Sequence, residues 1–134
     1  MIIKGPFVNI WGDPIIADDV EIGAFTEIGR HVIIGKGCKV QAHVFIPPGV
    51  EIEENVFIGP HVVFTNDKHP PSQGKSWAKT IVRRGAVIGA NATILPGIEI
   101  GENATIGAGS VVTKSVEANQ TVCGNPARLI PKVL

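Results

Sequence analysis

The chain of 134 residues contains 3 leucines, against 19 isoleucines and 16 valines. Leucine is normally among the commonest residues of a globular domain, whereas β-branched side chains pack well on the pleated surface of a sheet. The shortage of leucine therefore argues against a helical bundle and predicts an all-β fold. The length suits one domain, so residues 1–134 are expected to form a single domain.

The chain also lacks an excess of charge and any long apolar segment. Its 12 basic residues balance 12 acidic residues, so no whole-protein field attracts DNA, RNA or an anionic membrane surface. No run approaches the roughly 18 apolar residues of a membrane span, and the first residues lack the basic segment and apolar run of a signal peptide. We therefore expect no nucleic-acid partner, no membrane association and a cytoplasmic location.

Cysteine is scarce as well. The two cysteines, Cys38 and Cys123, are too few for a disulfide framework and do not have the spacing of a metal site. We interpret both as free thiols and expect no metal.

Isoleucine and valine recur every six residues. Of the 15 positions in this series, 14 hold a β-branched residue: Ile16, Ile22, Ile28, Ile34, Val40, Ile46, Ile52, Ile58 and Phe64, then Val82, Ile88, Ile94, Ile100, Ile106 and Val112. Four residues after each of them except Phe64, a second position takes only small or β-branched residues, among them Cys38. Two inward positions in every six residues indicate stacked short strands, and a sustained period of six is typical of a β-helix.

The third residue after each large position except Phe64 marks a corner. Gly, Asn, Asp and His fill 12 of 14 such places, and these residue types tolerate a left-handed backbone best. The corner series includes His31, His43 and His61, so three of the four histidines have a structural explanation.

The repeats Ile22-Gly-Ala-Phe-Thr-Glu, Ile88-Gly-Ala-Asn-Ala-Thr and Ile106-Gly-Ala-Gly-Ser-Val resemble those of the hexapeptide-repeat acyltransferases. The resemblance covers nearly the whole chain. It implies a left-handed parallel β-helix of triangular section, with three hexapeptides in each of about seven coils. The handedness comes from the resemblance alone, because the usual crossover rule favours the right-handed form.

The repeat stops between Phe64 and Val82. The segment 65–81 reads as a loop, and loops longer than about 12–15 residues are usually functional or disordered. A buried Trp77 is expected to order it. The alternative is that the segment is a tolerated surface insertion without a function. Two placements are also open: the loop replaces a coil, or it protrudes from a corner.

The loop sequence Phe64-Thr-Asn-Asp-Lys-His-Pro, with the later block Gly85-Ala-Val-Ile-Gly-Ala-Asn-Ala-Thr-Ile-Leu-Pro-Gly, is similar to the nucleotide-sugar N-acetyltransferases. This resemblance implies that the substrate is a 3-amino-deoxysugar carried by dTDP or UDP. It also implies a homotrimer in which the loop reaches a neighbouring subunit and walls an active site at the interface. Exposed apolar residues would give trimerisation a physical motive: Ile33, Phe45, Phe57 and Val63.

His69 is the histidine outside the corner series, and it is our candidate general base because imidazoles titrate near neutral pH. The resembled sugar acetyltransferases use a loop histidine in this role, although those of the Thr-Asn type often have no dedicated base. Asn66 is a candidate catalytic residue beside it, and Asp67 a candidate for binding the substrate, but both could simply form Asx-turns. His43 and His61 are expected to stack on adjacent coils, either as corner residues or as a wall of the sugar site.

The segments Gly107-Ala-Gly-Ser-Val-Val-Thr-Lys114 and Gly124-Asn-Pro-Ala-Arg128 are shared with many hexapeptide acetyltransferases, and this likeness implies acetyl-CoA. Its pantetheine arm needs close backbone approach, and its phosphates need cations. The predicted cofactor-binding residues are Gly107, Ala108, Gly109, Lys114 and Arg128.

Three other functions compete with an N-acetyltransferase. An O-acetyltransferase acting on a simple sugar or serine-like acceptor would require His69. A γ-type carbonic anhydrase shares the β-helix but needs three zinc-binding histidines, and the expected histidine pair within one coil is missing here. A non-catalytic β-helix scaffold would bind no CoA.

Overall fold

The computed structural model describes residues 1–131 and consists of short strands joined by turns, with no helix that could cross a membrane in this part of the chain. In chain order the strands are β1 (Ile2–Ile3), β2 (Asn9–Ile10), β3 (Ile15–Ile16), β4 (Glu21–Ile22), β5 (Glu27–Ile28), β6 (Ile33–Ile34), β7 (Lys39–Val40), β8 (Phe45–Ile46), β9 (Val50–Ile52), β10 (Phe57–Ile58), β11 (Val63–Phe64), β12 (Thr80–Val82), β13 (Val87–Ile88), β14 (Thr93–Ile94), β15 (Glu99–Ile100), β16 (Thr105–Ile106), β17 (Val111–Val112), β18 (Thr121–Cys123) and β19 (Arg128–Leu129).

The strands form three sheets that are the faces of a prism. Sheet A has the order β1-β4-β7-β10-β13-β16-β18-β19, sheet B has β17-β14-β11-β8-β5-β2, and sheet C has β15-β12-β9-β6-β3. Strands β1 to β17 belong to sheets A, B and C in turn, and β18 and β19 both belong to sheet A. All pairs are parallel except the last, between β18 and β19. The expected parallel β-helix of hexapeptide repeats is therefore the observed fold, with seven parallel strands in its largest sheet.

Both predicted inward positions fill the core of the prism. From Ile22 to Val112 the large position is at most 1% exposed, and the small position is equally buried over most of its length, as at Cys38. The Cys38 thiol donates to the carbonyl of Glu53 at 2.9 Å, so it is a core group as predicted. Isoleucine side chains stack on one another from coil to coil and form a continuous apolar core. A single coil could not bury these side chains alone.

The corner positions adopt the left-handed backbone at 12 of the 14 predicted places. The three corner histidines lie there with φ between 60° and 62°. Asp19 and Ser115 do not adopt this conformation, whereas Phe25 does, with φ of 61°. Residue type alone therefore misassigned Asp19 and Phe25, because neighbouring coils also determine the backbone of a corner.

The long loop protrudes from the corner between sheets B and C. On sheet C, Ile34 pairs with Ile52, and Ile52 pairs with Val82. Along the chain, Ile34 and Ile52 are three hexapeptides apart, whereas Ile52 and Val82 are five hexapeptides apart. The loop thus adds the length of two hexapeptides to one turn of the coil without removing a strand. The prism continues in register above and below it.

The apolar residues expected to drive trimerisation do not form one patch. Ile33 lies on sheet C, Phe57 on sheet A, and Phe45 and Val63 on sheet B. Within residues 1–131, ion pairs occur on sheet A, where Lys4 and Lys39 meet Glu21, and on and beside sheet C, but none joins outward residues of sheet B. All three sheets therefore expose apolar side chains, and the outer surface of sheet B also carries Glu27.

Ile58→Ala is expected to lower the free energy of unfolding by about 2–5 kcal/mol, because it leaves a cavity in a core that cannot collapse between rigid coils. Ile58 is fully buried and pairs with Val40 and Ile88. The matched control is Ile15→Ala, whose side chain is 67% exposed and should cost less than about 0.5 kcal/mol. Chemical denaturation measures both, and equal losses would contradict the assignment of the inward face.

Candidate functional site

The inserted loop is an ordered excursion that doubles back on itself. Asp67 and Trp77 form an antiparallel bridge, and the Ala78 N–H donates to the carbonyl of Asn66 at 2.8 Å. At the base of the loop, the Thr65 hydroxyl donates to the carbonyl of Ile94 at 3.0 Å on the next coil. These contacts tie both arms of the loop to each other and to the prism.

The carboxylate of Asp67 accepts hydrogen bonds from three other residues of the loop. Its Oδ1 accepts the Ser76 hydroxyl and the His69 N–H, the latter at 3.2 Å, and its Oδ2 accepts the Ser72 N–H at 2.9 Å. Partial desolvation raises the pKa of Asp67, but the donors from Ser76, Ser72 and His69 outweigh it and lower the pKa to about 2. Both carboxylate oxygens are therefore engaged within the loop, which gives Asp67 a structural use beside its predicted role in substrate binding.

The order of the loop is expected to depend on pH through Asp67. Its folded-state pKa of about 2 lies below the unfolded value of about 3.9, so the carboxylate stabilises the loop above about pH 4 and this stabilisation is lost as the pH falls toward 2. In a Trp11→Phe protein, Trp77 is the remaining tryptophan. Its emission should change between pH 4 and 2 while the far-ultraviolet circular dichroism of the prism stays constant.

Asp67→Ala in the same Trp11→Phe background is the matched control for this pH dependence. It should show the low-pH emission already at pH 7, because the acceptor oxygens are gone. An unchanged pH profile in this variant would show that Asp67 does not hold the loop.

Asn66 fixes the loop against the preceding coil. Its amide Nδ2 donates to the carbonyl of Pro48 at 2.9 Å, which leaves the side-chain oxygen Oδ1 to accept a hydrogen bond from a ligand. Asn66 and Asp67 border an open cavity of about 480 Å³, here called the loop cavity. Its full lining is Phe45, Thr65, Asn66, Asp67, Lys68, Pro70, Leu95 and Pro96.

His69 lies on the exposed part of the loop and does not line the loop cavity of its own protomer. Its backbone N–H is held by Asp67 and by the Ser76 hydroxyl, the latter at 3.0 Å. Within residues 1–131, no hydrogen bond engages the imidazole, so both ring nitrogens are available to a substrate or a neighbouring subunit. Its predicted role as general base stays a prediction.

A second cavity, here called the tryptophan groove, lies on the other side of the loop base and measures about 410 Å³. It is lined by Trp11, Glu27, Gly29, Arg30, Phe45, Pro47, Pro48 and Trp77. The expectation of a buried Trp77 is wrong: its side chain is 52% exposed in the protomer, because it faces an open groove and not the core. The sequence did not predict Trp11 or Phe45 at a binding site. Trp11 and Trp77 are the two tryptophans of the chain, and both line this groove.

His43 and His61 form the predicted stack. Their ring centroids lie 4.6 Å apart with an interplanar angle of 6°, and Phe25 continues the column 4.9 Å from His43. The column occupies the corner between sheets A and B, whereas the loop leaves the corner between sheets B and C. Sheet B therefore separates the two histidines from the loop within one protomer, and the structure does not bring them together with Asn66 and His69.

The predicted cofactor residues fall into two groups. Lys114 and Arg128 line one small cavity of about 170 Å³ at the last coil, which is a fitting place for two cations that hold phosphate groups. Gly107, Ala108 and Gly109 lie elsewhere, at the corner between sheets A and B. The Gly107 N–H donates to Val122 and that of Gly109 to Ala90, so within the described chain only the Ala108 N–H has no acceptor among these three.

The fold and its inserted loop define a left-handed β-helix protein built of hexapeptide repeats, with cavities on both sides of a single loop. Sequence comparison agrees with this class, because the family described as bacterial transferase hexapeptide (six repeats) matches residues 13–48, 31–66 and 79–114. The chain belongs to this family. No curated protein matches the sequence.

The chain is also similar to several solved structures. WeeI from Acinetobacter baumannii AYE shares 26% identity over 95% of this chain and 57% of WeeI, with a TM-score of 0.81. Galactoside acetyltransferase in complex with coenzyme A shares 24% identity over 93% of this chain and 65% of that protein, with a TM-score of 0.71.

A variant of GDP-perosamine N-acetyltransferase from Caulobacter crescentus, in complex with CoA and GDP-perosamine, shares 23% identity, with a TM-score of 0.52. The match covers 98% of this chain and 53% of that protein. The chain thus spans between 53% and 65% of the length of these three proteins.

Proposed function

We propose that the protein is an acetyl-CoA-dependent N-acetyltransferase that acetylates the amino group of a nucleotide-linked amino-deoxysugar. The observation that carries this proposal is the ordered loop with Asn66 at its base, which borders an open cavity on a hexapeptide-repeat transferase fold. The likeness to GDP-perosamine N-acetyltransferase supports the substrate class, since that protein was solved with CoA and a nucleotide-linked amino sugar.

Acetyl-CoA supplies the acetyl group as an activated thioester. The lone pair of the sugar amine forms a new C–N bond to the thioester carbonyl carbon, the C–S bond breaks, and CoA leaves as a thiolate that takes up the proton lost by the amine. The chain must then orient the amine and remove its proton. In this proposal, Asn66 Oδ1 would accept a hydrogen bond from the amine N–H, and the imidazole of His69 would take the proton.

Lys114 and Arg128 would hold the phosphates of CoA at their shared cavity. The Ala108 N–H is the backbone donor that remains for the pantetheine arm or the developing oxyanion. Gly109 adds space, because a side-chain carbon at this position would meet nothing within 4 Å.

The active unit is proposed to be a homotrimer with active sites between subunits. Within one protomer, sheet B separates the loop from the His43 and His61 column, so a site that contains both needs a second copy. Val63, on the outer surface of sheet B between the loop and the histidine column, is where a neighbour would pack. Light scattering should give the mass of three chains, and a stable monomer would contradict this part of the proposal.

The balanced charge is compatible with action in the cytoplasm, without nucleic acid or membrane.

The test is release of free thiol from acetyl-CoA with dTDP-, UDP- and GDP-linked amino sugars as acceptors, and with galactosides and serine in parallel. Turnover with the amino sugars is expected, and mass spectrometry should show one acetyl group on nitrogen. Turnover with hydroxyl acceptors alone would replace the proposal by O-acetylation. No turnover and no CoA binding would leave a non-catalytic β-helix.

A further inference from the structure

We propose that the tryptophan groove binds the nucleoside diphosphate part of the acceptor, with the base stacked on the indoles and the diphosphate beside Arg30. This inference rests on the proposed function and identifies where its nucleotide-linked substrate is held. The groove lies next to the loop cavity but shares only Phe45 with it.

The apolar walls of the groove suit a flat aromatic ligand. Trp11 and Trp77 are 50% and 52% exposed, and Phe45 is 39% exposed. Three aromatic side chains border one open groove, and every nucleobase has a π-face on which an aromatic ring can stack. Trp11 comes from the first coil and Trp77 from the returning arm of the loop, so the ordered loop completes this wall.

The polar side chains of the groove complement a nucleotide. Among residues 1–131, no carboxylate pairs with Arg30, whereas Arg83 and Arg84 are each bonded to glutamates. A free guanidinium can bind phosphate oxygens through two parallel hydrogen bonds. The Glu27 carboxylate on the same groove can accept from a base N–H or a ribose hydroxyl.

The position of the groove leads a bound nucleotide toward the reactive loop. Pro48 lines the groove, and its carbonyl accepts the Asn66 amide that fixes the loop base. A sugar attached to a diphosphate in the groove can therefore extend past Phe45 into the loop cavity beside Asn66. The groove volume of about 410 Å³ lies within the range of small-molecule sites, roughly 300–1,000 Å³.

CoA also contains a nucleoside diphosphate, but the groove is poorly placed for it. Trp11 follows β2 and Lys114 follows β17, and these strands form opposite edges of the six-stranded sheet B. Five strand spacings separate them, which is about 24 Å. The predicted phosphate-binding cations of CoA thus lie at the far end of the prism from the groove.

Intrinsic fluorescence tests the site directly, because both tryptophans of the chain line the groove. The intact protein is titrated with UDP, dTDP, GDP and CoA, with no acetyl transfer required. Trp11→Phe and Trp77→Phe proteins report on each indole separately. At least one nucleoside diphosphate should quench both reporters, with one dissociation constant that calorimetry reproduces.

Matched variants locate the ligand. Phe45→Ala and Trp77→Ala should each raise Kd at least about fivefold through lost stacking, and Arg30→Gln should raise it about tenfold. Phe57→Ala is the control, since Phe57 has nearly the same exposure as Phe45, 37% against 39%, but lies on sheet A. It should leave Kd within about twofold, and circular dichroism checks that each variant is folded.

The outcomes separate this inference from the proposed function. Nucleotide binding by calorimetry that leaves both tryptophans and all groove variants unaffected would overturn the groove assignment, although acetyl transfer would still be measured. Quenching by CoA alone would assign the groove to the acetyl donor instead. Emission that changes on dilution but not with any nucleotide would mean that a second copy of the chain covers the groove. Acetylation of amino sugars that carry no nucleotide, with the same kcat/KM as for nucleotide-linked amino sugars, would overturn the inference as well.

Discussion

Deletion of the segment 68–79, combined with Asp67→Asn, is expected to leave the β-helix folded and to abolish acetyl transfer. The loop adds the length of two hexapeptides to one turn of the coil, and the deleted segment is equally long, so the deletion restores the regular period. Residue 67 then falls in a corner position, where Asn tolerates the left-handed backbone. Thr80 falls in the small inward position, and it is already 1% exposed in the native protein.

The physical reason is that the loop contributes contacts to the site but none to the regular core. Strand β12 pairs with β9 and β15 regardless of the loop. The free energy of unfolding should therefore stay within about 1 kcal/mol, since loop-closure entropy changes slowly with length. Acetyl transfer should fall at least about 10³-fold, because the deletion removes the proposed base His69 and the loop contacts that position Asn66.

Chemical denaturation and the thiol-release assay measure the two effects on the same preparation. Retained turnover in a folded deletion protein would move the active site away from the loop. A deletion protein that fails to fold would show that the loop stabilises the coils and is more than an insertion at a corner.

The substitution His69→Asn is expected to cause a second large loss of acetyl transfer. If the imidazole takes the proton of the attacking amine, kcat should fall about 10²- to 10⁴-fold while KM changes little. The stability of the protein should not change, because the loop contacts of His69 are made by its backbone N–H.

Gln73→Asn is the matched control for His69→Asn. Gln73 lies in the same exposed loop with φ of 56°, a backbone that Asn tolerates, and its replacement should leave kcat within about threefold. A His69→Asn protein whose kcat/KM also stays within threefold would remove His69 as the base. Transfer would then rely on orientation of an amine that is already deprotonated.

Much of the fold could be predicted from residues close in sequence. The inward position at Ile58 and the corner at His61 repeat a local rule, because each hexapeptide must turn once and bury two side chains. Asp19 and Phe25 show where the rule ends, since the backbone at these corners depends on stacking against the next coil, as in the column of Phe25 and His43.

The site was less predictable than the fold. The sequence predicts roles for Asn66 and Asp67 because they lie where the repeat is interrupted, and both border the loop cavity, but these roles stay predictions. Their hydrogen bonds to Pro48 and Ser72 were not visible in the sequence, and they show that part of their polarity holds the loop. The sequence does not predict the groove, because Trp11 and Trp77 are separated by about half of the chain.

The period of six, the inward face and the position of the insertion can be predicted from the amino-acid sequence, because each follows from residue types within six positions of one another. The tertiary structure alone decided how the loop leaves the prism and what it meets there. Its docking depends on contacts such as Asn66 with Pro48 and Thr65 with Ile94, which join different coils across an insertion that obeys no period. Stacking of the coils thus creates the groove and separates the histidine column from the loop.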